Sequence, residues 1–105
     1  MFCKLYSNWK GRSIMDEIDS KNLFHKIGQN VKYYRKLYNL DKGKMTQENL
    51  AELVDVSTAL IGNLESEKIH QGISVFTLWK ISKALEIPIE KLFEGTNNLP
   101  DSLNA

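Results

Sequence analysis

Met45-Thr-Gln-Glu-Asn-Leu-Ala-Glu-Leu-Val-Asp-Val-Ser-Thr-Ala-Leu-Ile-Gly-Asn-Leu-Glu65 holds two helical signals separated by a turn. Thr46 is a good N-cap, and a helix follows it through Leu50, Ala51 and Leu53 to Val54. Asp55-Val56 interrupts, because an Asp side chain bonds nearby backbone and tolerates turn conformations. Ser57 then caps a second helix, which sets Ile61 and Leu64 on its inner face and ends near Glu65. So short a turn crosses two helices steeply, which lets the second project into a major groove. The hydroxyls of Thr46 and Ser57, with the free N–H groups at each helix start, suit phosphate oxygens. Gln47, in the first turn, can bond a phosphate or a base edge.

Outward from this unit the chain is helical on both sides, with no strand signal. A helix is predicted over Lys21–Tyr38, capped by Asp19 or Ser20, with Leu23, Phe24, Ile27, Val31, Tyr34 and Leu37 in one apolar stripe. The polar run from Asn39 to Lys44 reads as a loop, as does Ser66 to Ile73. Ser74 caps a fourth helix whose Phe76, Leu78, Trp79, Ile81 and Leu85 give a broad apolar surface. Pro88 suits the first turn of a short fifth helix that buries Ile89, Leu92 and Phe93 and closes at Gly95. Trp79, Phe76 and Phe93 are expected mostly in the core, part of that surface serving a dimer. Tyr33, Tyr34 and Tyr38 are expected at the core and its margin, and His25 at the surface. The expectation is all-α: a compact five-helix bundle over residues 20–94, a flexible N-terminal extension over 1–19 and a short mobile tail over 95–105.

Composition narrows the class. The chain has 105 residues, 42% hydrophobic and 26% charged, which suits one domain with a single core. No apolar run approaches a membrane span, and the segment Met1 to Ile14 lacks the continuous apolar stretch of a secretory signal. A cytoplasmic protein with no membrane partner is expected. Cys3 is alone, so it forms no internal disulfide and no metal site. Two separated histidines and one terminal cysteine offer no nucleophile–base pair, metal cluster or phosphate loop, so neither an enzyme nor a cofactor is expected. The net charge of +1 hides an asymmetry: residues 1–44 hold ten basic against four acidic residues, and residues 45–105 hold four against nine. A basic face for nucleic acid must therefore draw on the first half. Met15 opens more naturally than Met1, and Lys10-Gly11-Arg12 is compatible with a purine-rich ribosome-binding codon run, so residues 1–14 read as a translated leader. The rival reading is an arm that packs Phe2, Tyr6 and Trp9 on a partner.

Residues 45–65 resemble the Cro/cI-type (XRE) helix-turn-helix of phage repressors and bacterial regulators. The opening Ile27-Gly-Gln-Asn-Val-Lys-Tyr-Tyr-Arg35 is similar to that family's first helix. Ser74-Val-Phe-Thr-Leu-Trp-Lys-Ile-Ser-Lys-Ala-Leu-Glu-Ile-Pro-Ile-Glu-Lys-Leu-Phe93 is similar to its fourth and fifth. Three segments in the right order are far more specific than Thr-Gln-x-x-Leu-Ala alone. The resemblance implies a bundle of the lambda-repressor-like type and a sequence-specific transcriptional regulator, a repressor, bound to double-stranded DNA as a homodimer. It implies that Gln47 contacts DNA, that Thr58, Ala59 and Asn63 face base edges, and that Thr46 and Ser57 meet backbone. It also implies a structural ion pair between Arg35 and Glu65. Lys44 and Lys68, with His70 less favoured, are expected to grip phosphate; Leu60 has two equal readings, an exposed residue beside thymine methyls or a buried edge residue after a small rotation of the helix.

The departures from the pattern have consequences. Asp55 stands where the family often has Gly, and the loops on either side of the motif are longer. No Arg or Lys lies between Ser57 and Ser66, so bidentate reading of guanine is absent. Asn63 can read adenine, and Thr58 and Ala59 can meet thymine methyls, which predicts an A·T-leaning site read partly through shape. Gly62 weakens its helix unless something passes close there. The lean helix and the acidic second half sustain an alternative: an antitoxin, or a protein-interaction module with a toxin or other protein partner and weak or no DNA binding.

Overall fold

A computed structural model describes residues 19–98. The leader or arm, with Cys3, Phe2, Tyr6 and Trp9, and most of the expected tail lie outside the described residues. Among the described residues four α-helices follow one another: α1 (Ser20–Asp41), α2 (Gln47–Val54), α3 (Thr58–Glu65) and α4 (Val75–Leu85). There is no strand among the described residues, and no helix there is long and apolar enough to cross a membrane.

The expected fifth helix is not an α-helix. Ile89–Phe93 is a five-residue 3₁₀ helix, and Thr96–Asn98 is a second 3₁₀ turn. Pro88 and the left-handed Gly95 (φ 84°) leave too few residues between them for an α-helix to propagate. The segment closes on shorter bonds instead, Lys91 N–H to the Pro88 carbonyl at 3.0 Å. Leu92 still enters the core and is fully buried.

The helix starts follow local chemistry. Thr46 and Asn49 form a reciprocal capping box at α2. Ser57 Oγ accepts from Leu60 N–H at 3.0 Å, and Ser74 Oγ accepts from Thr77 N–H at 3.1 Å. At α1, Asp19 adopts helical angles and its side chain makes no cap bond. α1 also runs on through Asn39, Leu40 and Asp41, which the sequence placed in a loop. What stops it is Gly43 at φ 141°, whose N–H reaches back five residues to the Tyr38 carbonyl at 3.3 Å. Asn39 serves the loop from inside the helix, its Oδ1 accepting from Met45 N–H at 2.6 Å.

Two helices end in the left-handed region without glycine. Asp55 (φ 59°) closes α2 while Val56 N–H reaches the Ala51 carbonyl at 3.0 Å. Glu86 (φ 60°) closes α4 while Ile87 N–H reaches the Ser82 carbonyl at 3.0 Å. Both are Schellman closures, with the apolar residue after the turn packed inward.

One core unites the helices: Ile27 and Val31 of α1, Leu50, Ala51 and Val54 of α2, Ile61 and Leu64 of α3, Leu78, Ile81 and Leu85 of α4, with Met45 and Leu92. α1 packs on α3 and the first 3₁₀ turn, and α2 packs on α3 and α4. α1 and α3 touch backbone to backbone: a Cβ on Gly28 would stand 1.8 Å from the Leu64 carbonyl oxygen.

Several large side chains lie elsewhere than expected. Phe76 is 64% exposed, Trp79 47% and Phe93 37%. The bundle is small, so only one stripe of α4 reaches the core and its second apolar face stays outside. Tyr33 is exposed for the same reason, whereas Tyr34 and Tyr38 pack against the core. His25 is half-buried rather than at the surface, and its Nε2 is enclosed.

A polar clamp ties the C-terminal turn to α1. Asn30 Nδ2 donates to the carbonyls of Leu92 and Glu94, both at 2.8 Å. The Tyr34 hydroxyl donates to the Glu94 carboxylate. That bond, with some desolvation, pushes the Tyr34 hydroxyl up to about 12. It also holds the Glu94 carboxyl below its ordinary value, aided by Lys91.

Candidate functional site

α3 is seated by Ile61 and Leu64 and leaves its first turn outside. Ser57, Thr58 and Ala59 are exposed at that end, and Ser57 already caps the helix. The free N–H groups and positive dipole end of α3 therefore point out beside two small side chains. Leu60 is half-buried and packed against the core, the second of its two readings, because it lies one turn before the buried Leu64 on the same face of α3.

The other end of α3 is anchored. Arg35 meets Glu65 through Nε to Oε2 at 2.7 Å and Nη2 to Oε1 at 2.8 Å, both residues being buried. Arg35 Nη1 also donates to the Met45 carbonyl at 3.1 Å. Gln47 Nε2 donates to Glu65 Oε1 at 3.0 Å. One carboxylate thus takes three donors and ties α1, α2 and α3 together, while Arg35 adds the loop before α2. A charged pair so deep persists only when its remaining bonds are satisfied, and here they are.

This network changes what Gln47 can offer. Its amide nitrogen is committed to Glu65, and its Oε1 lies toward Gly62, where a Cβ would stand 3.4 Å away. Gly62 is therefore the place where the second helix's glutamine passes close to the third. Thr46 is likewise engaged: Oγ accepts from Asn49 N–H at 3.0 Å and donates to Asn49 Oδ1 at 2.9 Å. Asn63 is half-buried, with a long contact of 3.4 Å from Nδ2 to Gln71 Oε1. Lys44 and Lys68 are exposed at the two flanks, Lys68 held by its N–H to Ser66 Oγ at 3.2 Å. His70 is exposed, its ring 6.2 Å from that of Phe24.

Sequence reasoning left out Lys36. It is exposed and lines an open depression with Arg35, Asn39, Leu40, Met45 and Thr46 at the start of α2. The signal was present, since Lys36 belongs to the basic first half. Only the packing of α1 beside Thr46 shows that it borders this site. Carboxylates stand near as well: Glu48 and Glu52 of α2 are exposed, and α3 has no basic residue. Among the described residues no group of His, Cys, Asp and Glu is arranged to hold a metal ion.

A family model described as a helix-turn-helix matches residues 31–92, which span the second half of α1 through Leu92. No curated protein and no solved structure matches the chain.

Proposed function

The chain belongs to the helix-turn-helix family, of the Cro/cI type, and from that premise we propose that it is a sequence-specific repressor that reads the major groove with α3. The observation that supports this most is the two-ended build of α3: exposed Ser57, Thr58 and Ala59 at its start, a buried Glu65 clasp at its end. A helix held at one end and bare at the other is suited to enter a groove.

In this reading Ser57 and the N–H groups of α3 meet phosphate, with Lys36, Lys44 and Lys68 neutralising charge on the flanks. Thr58 and Ala59 touch base edges through methyl groups, and the Asn63 amide reads adenine. Gln47 contributes through Oε1 while Nε2 positions it on Glu65. Thr46 contributes chiefly by setting the start of α2. The absence of a basic residue on α3 favours an A·T-leaning site chosen partly by DNA shape. A single module of this size has modest affinity, which favours a homodimer on paired half-sites.

The test is binding to the promoter of the protein's own operon across a salt series, beside a random duplex of equal length. Preferential binding that falls with salt is expected. Asn63→Ala with Thr58→Glu should erase the preference while circular dichroism stays unchanged. Wild-type protein that binds neither duplex at low salt sinks the reading. The exposed carboxylates of α2 and the uncharged α3 favour a second reading, a module for a toxin or another protein partner, and that result would move weight to it.

A further inference from the structure

α4 has two unlike faces. Leu78, Ile81, Ser82 and Leu85 are buried. Phe76, Trp79, Lys80 and Lys83 follow the spacing i, i+3, i+4, i+7 and form one stripe on the outer side. The Phe76 and Trp79 rings lie 13° from parallel with centroids 6.2 Å apart. Lys80 Nζ stands 4.7 Å from the Phe76 centroid, and Lys83 Nζ stands 5.4 Å from the Trp79 centroid. Val75, 73% exposed, extends the apolar surface at the N-terminal end. Three large exposed apolar side chains within about two turns make a patch rather than scattered exposure.

Charge selects what covers it. α4 contains no acidic residue, and neither lysine has an ion pair with a carboxylate among the described residues. Packing α4 on α4 of a second copy would bring like charges to one seam with no carboxylate from either helix. Stacking of unpaired bases needs free ring faces. Here each ring already has a lysine over one face, Lys80 on Phe76 and Lys83 on Trp79. Rings beside cations suit aliphatic side chains flanked by carboxylates.

We propose that this stripe docks an acidic amphipathic helix of a partner protein. Its carboxylates pair with Lys80 and Lys83, and its aliphatic residues lie on Val75, Phe76 and Trp79. The stripe is about 10 Å long at 1.5 Å per residue, so roughly two turns of partner helix cover it. It shares no residue with the DNA reading, so either can fail alone.

The test uses the full chain carrying Trp9→Phe, which leaves Trp79 as the sole tryptophan. The probe is a synthetic helical peptide of about 18 residues with Leu at i, i+3, i+4, i+7 and Glu on both flanks. The expected result is a saturable blue shift of Trp79 emission. The same peptide with Lys in place of each Glu should produce none. Lys80→Glu with Lys83→Glu should weaken binding by about tenfold or more, and Lys80→Gln with Lys83→Gln, for use if the reversal unfolds the chain, by about threefold. The proposal is overturned by no response, by equal response to both peptides, or by tighter binding of oligothymidine. It is also overturned if sedimentation shows protein alone dimerising with Trp79 already blue-shifted.

Discussion

Arg35 and Glu65, thirty residues apart, face each other in two parallel hydrogen bonds of 2.7 and 2.8 Å and join the middle of α1 to the end of α3. Removing one partner strands the other as a buried charge. Glu65→Ala should therefore cost about 3–5 kcal/mol. Arg35→Met combined with Glu65→Leu should recover most of that loss, since neither charge is then left buried. Urea unfolding of the two variants checks this, and equal losses in both would contradict it.

Two glycines on facing helices should respond with opposite sign. Gly28→Ala drives a Cβ into the Leu64 carbonyl, where backbone cannot yield cheaply. A loss of about 1–3 kcal/mol or more is expected. Gly62→Ala meets only the end of the Gln47 side chain at 3.4 Å. There the gain in helix propensity should prevail, raising stability by up to about 1 kcal/mol. Melting temperatures of both variants decide the matter.

Asp55 occupies the left-handed region at φ 59° in the turn between α2 and α3. A β-branched side chain is poorly accommodated there, so Asp55→Val should cost about 1–2 kcal/mol. Asp55→Gly should relieve the strain and gain about 0.5–1 kcal/mol. Denaturant midpoints for the pair should bracket the wild type.

The Tyr34–Glu94 bond predicts pH dependence at both ends of the scale. Tyr34 is raised from 10.0 to about 12, so its contribution is whole below 10.0 and fades as pH rises toward 12. Glu94 is lowered from 4.5, so its contribution is whole above 4.5 and fades as pH falls through the lowered value. Tyr34→Phe should remove the alkaline limb and the larger part of the acid limb, leaving the share due to Lys91. The stability difference between wild type and Tyr34→Phe, followed by urea midpoint against pH, should be greatest between these limits and shrink at each end. A flat difference would show that the bond does not form in solution.

Much of the local structure was legible before any packing was known. Thr46, Ser57 and Ser74 are N-caps because each hydroxyl needs only an N–H three residues on. Asp55 announced a break for a similarly local reason. The same logic failed at Asn39, where a polar residue suggested a loop and a glycine four residues later set the end. It failed again at residues 89–93, where length decided between α and 3₁₀ geometry.

The candidate site was less legible. Ser57, Thr58 and Ala59 stand exposed where the helix start was read. Leu60 does not stand out beside them, because it lies on the Leu64 side of α3 and packs against the core. The Gln47 amide is half-spent on a carboxylate eighteen residues away. Phe76 and Trp79 looked like core because hydrophobicity alone does not say which of two apolar faces a small bundle can cover.

The sequence by itself determined where α2, α3 and α4 begin and that a tight turn separates α2 from α3, since those caps and turns are decided within a few residues. Tertiary structure alone decided which face of each helix is bare, that Gly28 lets α1 and α3 touch, and that Gln47, Arg35 and Glu65 share one clasp. Those outcomes depend on volume and on partners far along the chain, and only the closed core brings the partners into reach.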